Sequence, residues 1–194
     1  MSHMGEFTLK GPDALSNLQY LVCNDFSDLQ IGKARYGILV REDGSSVDEL
    51  LIYKTHEERS LIVVNAANIQ KDETYFRAQL KGAVKFENIS ETIGQIAVQG
   101  PMADTLFKRF SDLELSYYGF QDEVMINDMQ VLVSRTGYTG EDGYEIYCKA
   151  EDTVKLWELF MTSGEDLGVE ACGLGCRDTL RLEAAMPLFG HELN

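Results

Sequence analysis

Basic residues are scarce: 17 Lys+Arg stand against 32 Asp+Glu, a formal charge of −15 over 194 residues. A surface that tracks nucleic-acid phosphates needs clustered Lys and Arg, and no basic run here exceeds two residues, so a nucleic-acid partner is excluded. Long apolar runs are missing too. Charge or turn residues break each stretch before the roughly 18 to 20 residues that span a bilayer, and no signal peptide opens the chain, so no membrane is expected. The four cysteines (Cys23, Cys148, Cys172, Cys176) are too few and scattered for a disulfide framework, which points to a reducing compartment. His3, His56 and His191 are dispersed and form no Ser–His–Asp or Cys–His pattern. Gly137-Tyr138-Thr139-Gly140 lacks both the spacing and the Lys of a phosphate-cradling loop. With only 3 Pro, 44% hydrophobic and 25% charged residues, the composition is that of a folded globular protein, long enough to bury about 70% of its unfolded surface.

What is present begins with a repeat. Leu9-Lys10-Gly11-Pro12-Asp13-Ala14 is echoed by Val98-Gln99-Gly100-Pro101-Met102-Ala103. Each reads as strand, Gly-Pro turn and helix, with Pro near the first helical position where a missing N–H costs nothing. Apolar faces follow at Leu15, Leu18, Leu21 and at Leu106, Phe107, Phe110. Strand-like runs come next, at Tyr36–Val40, Val47–Tyr53 and Leu61–Asn65, with a helix near Ala67–Leu80. The second copy offers Val124–Asn127, Val131–Ser134 and Tyr144–Cys148, then a helix near Glu151–Thr162 with apolar Val154, Trp157, Leu159 and Phe160. A third helix is expected at about Leu174–Ala185, before Pro187. Turns such as Arg41-Glu42-Asp43-Gly44 and Asn127-Asp128 favour antiparallel hairpins. The expectation is an α+β fold with mostly antiparallel sheets, in two related modules that meet near Phe86–Gly94.

Three segments could carry chemistry. In Arg135-Thr136-Gly137-Tyr138-Thr139-Gly140-Glu141-Asp142-Gly143-Tyr144-Glu145-Ile146, three Gly in seven residues allow a sharp turn before a strand. Alternation puts Tyr144 and Ile146 on one face and Glu145 on the other, toward solvent or a cleft. In Cys172-Gly173-Leu174-Gly175-Cys176-Arg177-Asp178-Thr179-Leu180-Arg181-Leu182-Glu183, helical spacing puts Arg177 and Arg181 on one face and Asp178 within reach of Arg181, a pattern that surface salt bridges also produce. The Cys-x-x-x-Cys pair has no further Cys or His near it, and a structural zinc wants four ligands, so no metal is expected. In Gly44-Ser45-Ser46-Val47-Asp48-Glu49-Leu50-Leu51-Ile52, Asp48 shares a face with Leu50 and Ile52, where a carboxylate is either expensive or useful.

These segments resemble the aminomethyltransferase family, the T-protein of the glycine cleavage system. Matching stretches run in order along nearly the whole chain: Ser2-His3-Met4-Gly5-Glu6, Asn24-Asp25, Gly44 to Leu50, Val63-Val64-Asn65-Ala66-Ala67-Asn68, Ala97-Val98-Gln99-Gly100-Pro101, Gly137 to Glu145 and Gly173 to Glu183. Where the family usually shows Gly-Gly and Asp-Asp, this sequence has Ser45-Ser46 and Asp48-Glu49. The Lys-Gly-Cys-Tyr-x-Gly-Gln-Glu signature of a related branch, the folate-binding iron–sulfur assembly factors, is missing.

The resemblance implies a tetrahydrofolate-binding fold of three domains, of which this chain would be the middle. Its first module, residues 1–88, would be ferredoxin-like, and its second, residues 89–194, incomplete. It implies transfer of a methylene carbon from an aminomethyl group on the lipoyl arm of the H-protein to tetrahydrofolate, with release of ammonia, in the cytoplasm of a bacterium or a mitochondrial matrix. Asp48 aligns with the family's essential aspartate, and Glu145 and Arg177 with its folate-binding Glu and Arg. Tyr36, Val64, Asn65, Tyr118 and Tyr138 match the pocket lining, with Met4 at its edge. The alternatives are a folate-binding module without transfer chemistry and a related folate-dependent demethylase. A partial chain should also leave apolar surface open to a second copy, as a homodimer. Sedimentation velocity is therefore expected to show a dimer whose population grows with concentration; a monomer alone at high concentration would remove that expectation.

Overall fold

The computed structural model describes residues 4–193; Ser2 and His3 of the first matching stretch lie outside the described residues. Its contacts divide the chain into two units, residues 4–90 with 188–193, and residues 91–187. Each is an antiparallel sheet with helices, the α+β class expected.

The first unit runs β1 (Met4–Lys10), α1 (Ala14–Leu21), β2 (Ala34–Val40), β3 (Ser46–His56), β4 (Arg59–Asn65), α2 (Ile69–Gln79) and β5 (Lys85–Asn88). Its sheet has the order β2-β3-β4-β1-β5, with every pairing antiparallel. Period-two alternation turns Phe7 and Leu9 of β1, Leu50 and Ile52 of β3, and Ile62 and Val64 of β4 toward one apolar core, which Leu18 and Leu21 of α1 and Phe76 of α2 complete. The division after residue 90 falls within the stretch Phe86–Gly94 read from sequence, which also takes in most of β5, whose Phe86 packs its ring against Phe7 at 5.1 Å and Phe76 at 5.4 Å.

The second unit runs β6 (Ile93–Gln99), α3 (Ala103–Phe107), β7 (Phe120–Ile126), β8 (Met129–Ser134), β9 (Gly143–Lys149), α4 (Thr153–Ser163) and α5 (Leu174–Glu183), with sheet order β6-β9-β8-β7. Two expectations need correction here. Val154 is 67% exposed, and Leu156, one turn before Phe160, takes its place as a buried core residue of α4, while Trp157 and Leu159 pack partly buried against that core as expected. The last helix stops at Glu183, because Ala185 takes a positive φ of 56°. Cys172 precedes that helix and Cys176 lies within it, both exposed.

The two sheets repeat one design. The order β2-β3-β4-β1 of the first is matched by β7-β8-β9-β6 of the second. Both Gly-Pro turns place their glycine at nearly the same φ, 126° at Gly11 and 122° at Gly100. In both, the alanine three residues on donates its N–H to that glycine's carbonyl, at 3.0 and 2.9 Å. After β4 and after β9 comes a 3-residue 3-10 turn and then an 11-residue helix. Aligned this way, Glu6 corresponds to Gln95, and Asp72 and Phe76 to Leu156 and Phe160. The cross-strand pairs Leu51–Val63 and Leu132–Tyr147 coincide as well, so Asp48 corresponds to Met129.

The repeat yields a stability prediction. Such a φ is held almost solely by glycine, and forcing another residue into it costs about 1–3 kcal/mol. An added Cβ at Gly11 would also lie 2.2 Å from the Ala83 carbonyl oxygen, whereas at Gly100 it meets nothing within 4 Å. Urea titrations should show Gly11→Ala losing more stability than Gly100→Ala; equal losses would mean that the Ala83 loop yields freely.

Candidate functional site

Alternation along β3 sends adjacent acids to opposite sides of the first unit's sheet. Asp48 follows Leu50 and Ile52 onto the side packed by α1 and α2, and is 0% exposed. Its Oδ1 accepts the Asn65 side-chain amide at 3.0 Å, while its Oδ2 has no donor. Asp72, in the first turn of α2, brings a second fully buried carboxyl within hydrogen-bonding reach of Asp48, and neither of its oxygens has a donor. Lys71 Nζ stands 3.9 Å from Asp72 Oδ1 and donates to the Val47 carbonyl. Burial first, and the Asp48 carboxyl second, push Asp72 up to about 9.

Glu49 takes the other side. Its Oε2 accepts the Tyr36 hydroxyl at 2.8 Å and its Oε1 the Phe189 backbone N–H at 3.1 Å. The Phe189 ring lies under Lys71 Nζ, 4.2 Å from its centroid. The same face of β1 carries Glu6 and Thr8, since Phe7 and Leu9 face the core. Glu6 is 0% exposed, no donor reaches its carboxyl oxygens, and burial raises its pKa to about 8.

In the second unit, Tyr144, Ile146 and Cys148 of β9 enter the apolar core, and Glu145 between them faces away from it, half-buried. Gln95 Nε2 donates to its Oε1 at 2.9 Å and Thr136 Oγ1 to its Oε2 at 2.5 Å. Burial raises the Glu145 pKa, and Thr136, the nearby Arg177 guanidinium and Gln95 pull it back. Arg177 sits 4.4 Å over the ring of Tyr138, whose hydroxyl donates to the Pro187 carbonyl. Tyr118 adopts a positive φ of 58°, and burial pushes its phenol to about 12. On α5, Arg181 Nε donates to Asp178 Oδ1 at 2.8 Å, the i,i+3 pair read from the spacing.

Among the residues singled out in sequence, Glu145, Arg177, Tyr138 and Tyr118 thus gather in the second unit. In the first, Asn65 meets Asp48, Met4 pairs with Asn65 across β1 and β4, Tyr36 meets Glu49, and Val64 is fully buried in the apolar core. No site role is assigned from sequence to Glu49, Asp72, Glu6, Gln95 or Thr136. Only the pairing of strands brings Gln95 and Thr136 to Glu145, and nothing local in the sequence encodes it.

A twice-repeated antiparallel α+β unit, with carboxylates set on the sheet faces away from the main helices, defines the structural class. The chain belongs to the GCVT N-terminal domain family, whose profile matches residues 1–194. It is 50% identical over 197 residues to an aminomethyltransferase from Geobacillus sp. (strain WCH70), and 47% identical over 196 residues to one from Anoxybacillus flavithermus. All of the chain is covered in each case, but only 54% of the relative, so the chain spans about half the length of the curated relatives it matches. The crystal structure of the glycine cleavage system aminomethyltransferase T from Bartonella henselae superposes with a TM-score of 0.84 at 30% identity, over 96% of this chain and 50% of that one. A heterotetrameric sarcosine oxidase from Corynebacterium sp. U-96 shares the fold, with a TM-score of 0.63 at 13% identity over 89% of this chain and 85% of that one.

The buried Glu6 generates a pH prediction. Its pKa is about 8 in the folded chain against an ordinary 4.5. Between those values the folded state keeps a proton that the unfolded state has released. This contribution is therefore fully present below about pH 4.5 and lost as pH rises through 8. Glu6→Gln, which installs the residue of the second repeat, should remove up to about 1.4 kcal/mol per pH unit of that decline. Urea midpoints measured from pH 5 to 9 check it; an unchanged slope would mean that Glu6 ionises normally.

Proposed function

We propose that the chain forms the folate-handling part of an aminomethyltransferase. In this reading it passes the methylene carbon of an aminomethyl group, borne by the lipoyl arm of an H-protein, to a nitrogen of tetrahydrofolate. The thiol of the arm is regenerated and ammonia leaves. Family membership supports the reaction class, and the observation that carries the reading is the arrangement around Glu145. A pterin presents a ring N–H beside an exocyclic amine, a donor pair that a carboxylate accepts with two parallel bonds. Glu145 is a carboxylate held by two neutral donors, with the Arg177 guanidinium and the flat Tyr138 ring near it. Tyr118, close by, supplies a second aromatic surface of the kind that flat rings seek.

The transfer passes through an iminium-like cation, which a fixed anion stabilises. By resemblance that anion is Asp48. Its carboxyl lies on the helix-packed side of the sheet with no exposure, so the reading gives the role to its neighbour Glu49, oriented by Tyr36 and the Phe189 amide. Asn65 then holds Asp48, Met4 lies across the ladder from Asn65, and Val64 acts through the core. No metal enters this chemistry.

Two substitutions test the division of labour, in a chain extended to the full length of the relatives. Glu145→Ala leaves pterin donors unpaired, at roughly 1–3 kcal/mol, and should weaken tetrahydrofolate binding about tenfold or more by calorimetry. Glu49→Gln should keep folate affinity and lower turnover with aminomethylated H-protein by about two orders of magnitude. If Asp48→Asn, in a folded protein, abolished turnover while Glu49→Gln did not, the role would return to Asp48. Folate binding without any turnover in the unsubstituted chain would favour a binding module, and turnover of a small methylated amine a demethylase.

A further inference from the structure

Two buried carboxyls in the first unit have no counterpart in the second. Asp48 and Asp72 occupy the positions that Met129 and Leu156 fill in the other repeat, where both are core residues, 2% and 0% exposed. This sheet-and-helix packing is therefore satisfied by an apolar pair, and well-packed apolar residues are commonly as stabilising as buried charges or more so. The acids answer to something other than folding.

Their surroundings show what they do. One oxygen of Asp48 takes the Asn65 amide; the other, and both oxygens of Asp72, have no donor. Two carboxylates packed together in a dry core cannot both stay charged. A single proton between them makes an O–H···O⁻ bond that serves one oxygen of each group. The pair then carries one negative charge, which the ammonium of Lys71, 3.9 Å from Asp72, balances. Lys71 in turn caps the ring of Phe189 at 4.2 Å, and the Phe189 amide holds Glu49 at 3.1 Å. All of these residues lie in one unit.

We propose that Asp48 and Asp72 share one proton, and that this pair, acting through Lys71 and Phe189, positions the Glu49 carboxylate, so that Asp72 is a positioning residue. What Glu49 then does rests on the reading given under Proposed function; the linkage itself is independent of it. The groups that face the pair are Asn65 from β4 and Lys71 from α2, with Glu49 and Tyr36 on the opposite side of the sheet. The raised Asp72 pKa agrees with a retained proton at neutral pH. When that proton is lost, on the alkaline side, the pair becomes doubly charged and draws Lys71 away from the Val47 carbonyl and the Phe189 ring.

The experiment follows the aspartate carboxyl carbons and the Phe189 amide of this chain by NMR as pH is raised. One aspartate signal should stay at its protonated position through neutral pH. The Phe189 amide should shift in step with it on the alkaline side, and Asp72→Asn should abolish that step. The double variant Asp48→Met with Asp72→Leu, which installs the pair of the second repeat, should fold and lack the step as well. If every aspartate titrates in the acid range, the shared proton is wrong. If the alkaline step survives in Asp72→Asn, it does not come from the aspartate pair, and the linkage to Glu49 falls. Neither result depends on folate binding or turnover, so failure here is distinct from failure of the proposed reaction.

Discussion

Successive side chains of a β-strand point to opposite faces of the sheet, and that constraint governs the acidic chemistry of the first unit. Asp48 and Glu49 are joined by one peptide bond and meet different surroundings. One is in the dry layer under α2 with a second carboxyl, and the other is among hydroxyl and amide donors across the sheet. A one-residue slip of β3 would exchange them, putting Glu49 beside Asp72 and moving Leu50 and Ile52 out of the core. The apolar residues of β3 therefore fix the register, and the register decides which acid meets the second carboxyl and which meets the hydroxyl and amide donors.

The internal repeat separates what the fold needs from what a site needs. Sheet order, the positive-φ glycine before proline and the turn-plus-helix lengths are common to both units. Buried polar groups are where the units diverge. Glu6 stands where the second unit has Gln95, and the Asp48–Asp72 pair where it has Met129 and Leu156. Gln95 uses its amide on Glu145 and on the Tyr147 hydroxyl, whereas Glu6 has no donor to meet it. A buried carboxyl without a partner weakens a fold, and such local inconsistencies gather at functional positions.

The elements that periodicity encodes were legible in the sequence. The two Gly-Pro turns, the strands after them and the apolar facing of Tyr144 and Ile146 follow from spacing alone, as does the place of Asp48 beside Leu50 and Ile52. Pairing across long separations was not legible. Tyr36 meets Glu49 through the β2–β3 ladder, Glu145 meets Gln95 through β6–β9, and Phe189 reaches Glu49 from 140 residues away. Asp72 was hidden for a different reason: in the first turn of a helix an acid is ordinarily a solvated group that suits the helix dipole, and only the packing of α2 onto β3 turns it inward. Val154 is the opposite case, because an apolar residue at a helix start reads as core until the helix is docked.

Glu145 shows how a carboxylate can be held without being used up. Its partners Gln95 and Thr136 are neutral and take one bond on each oxygen, about half of the lone-pair sites that an ionised carboxylate offers. Arg177 contributes at a distance: its field lowers the Glu145 pKa while its plane covers the Tyr138 ring. The carboxylate is thus kept oriented and partly dry, with acceptor capacity left for an incoming donor pair. Partial burial works in the same direction, since a bond to an oriented charge strengthens as water is removed from it. The burial that raises the Glu145 pKa is therefore the burial that would strengthen its grip on a ligand, with Arg177, Gln95 and Thr136 offsetting the cost of keeping the charge in place.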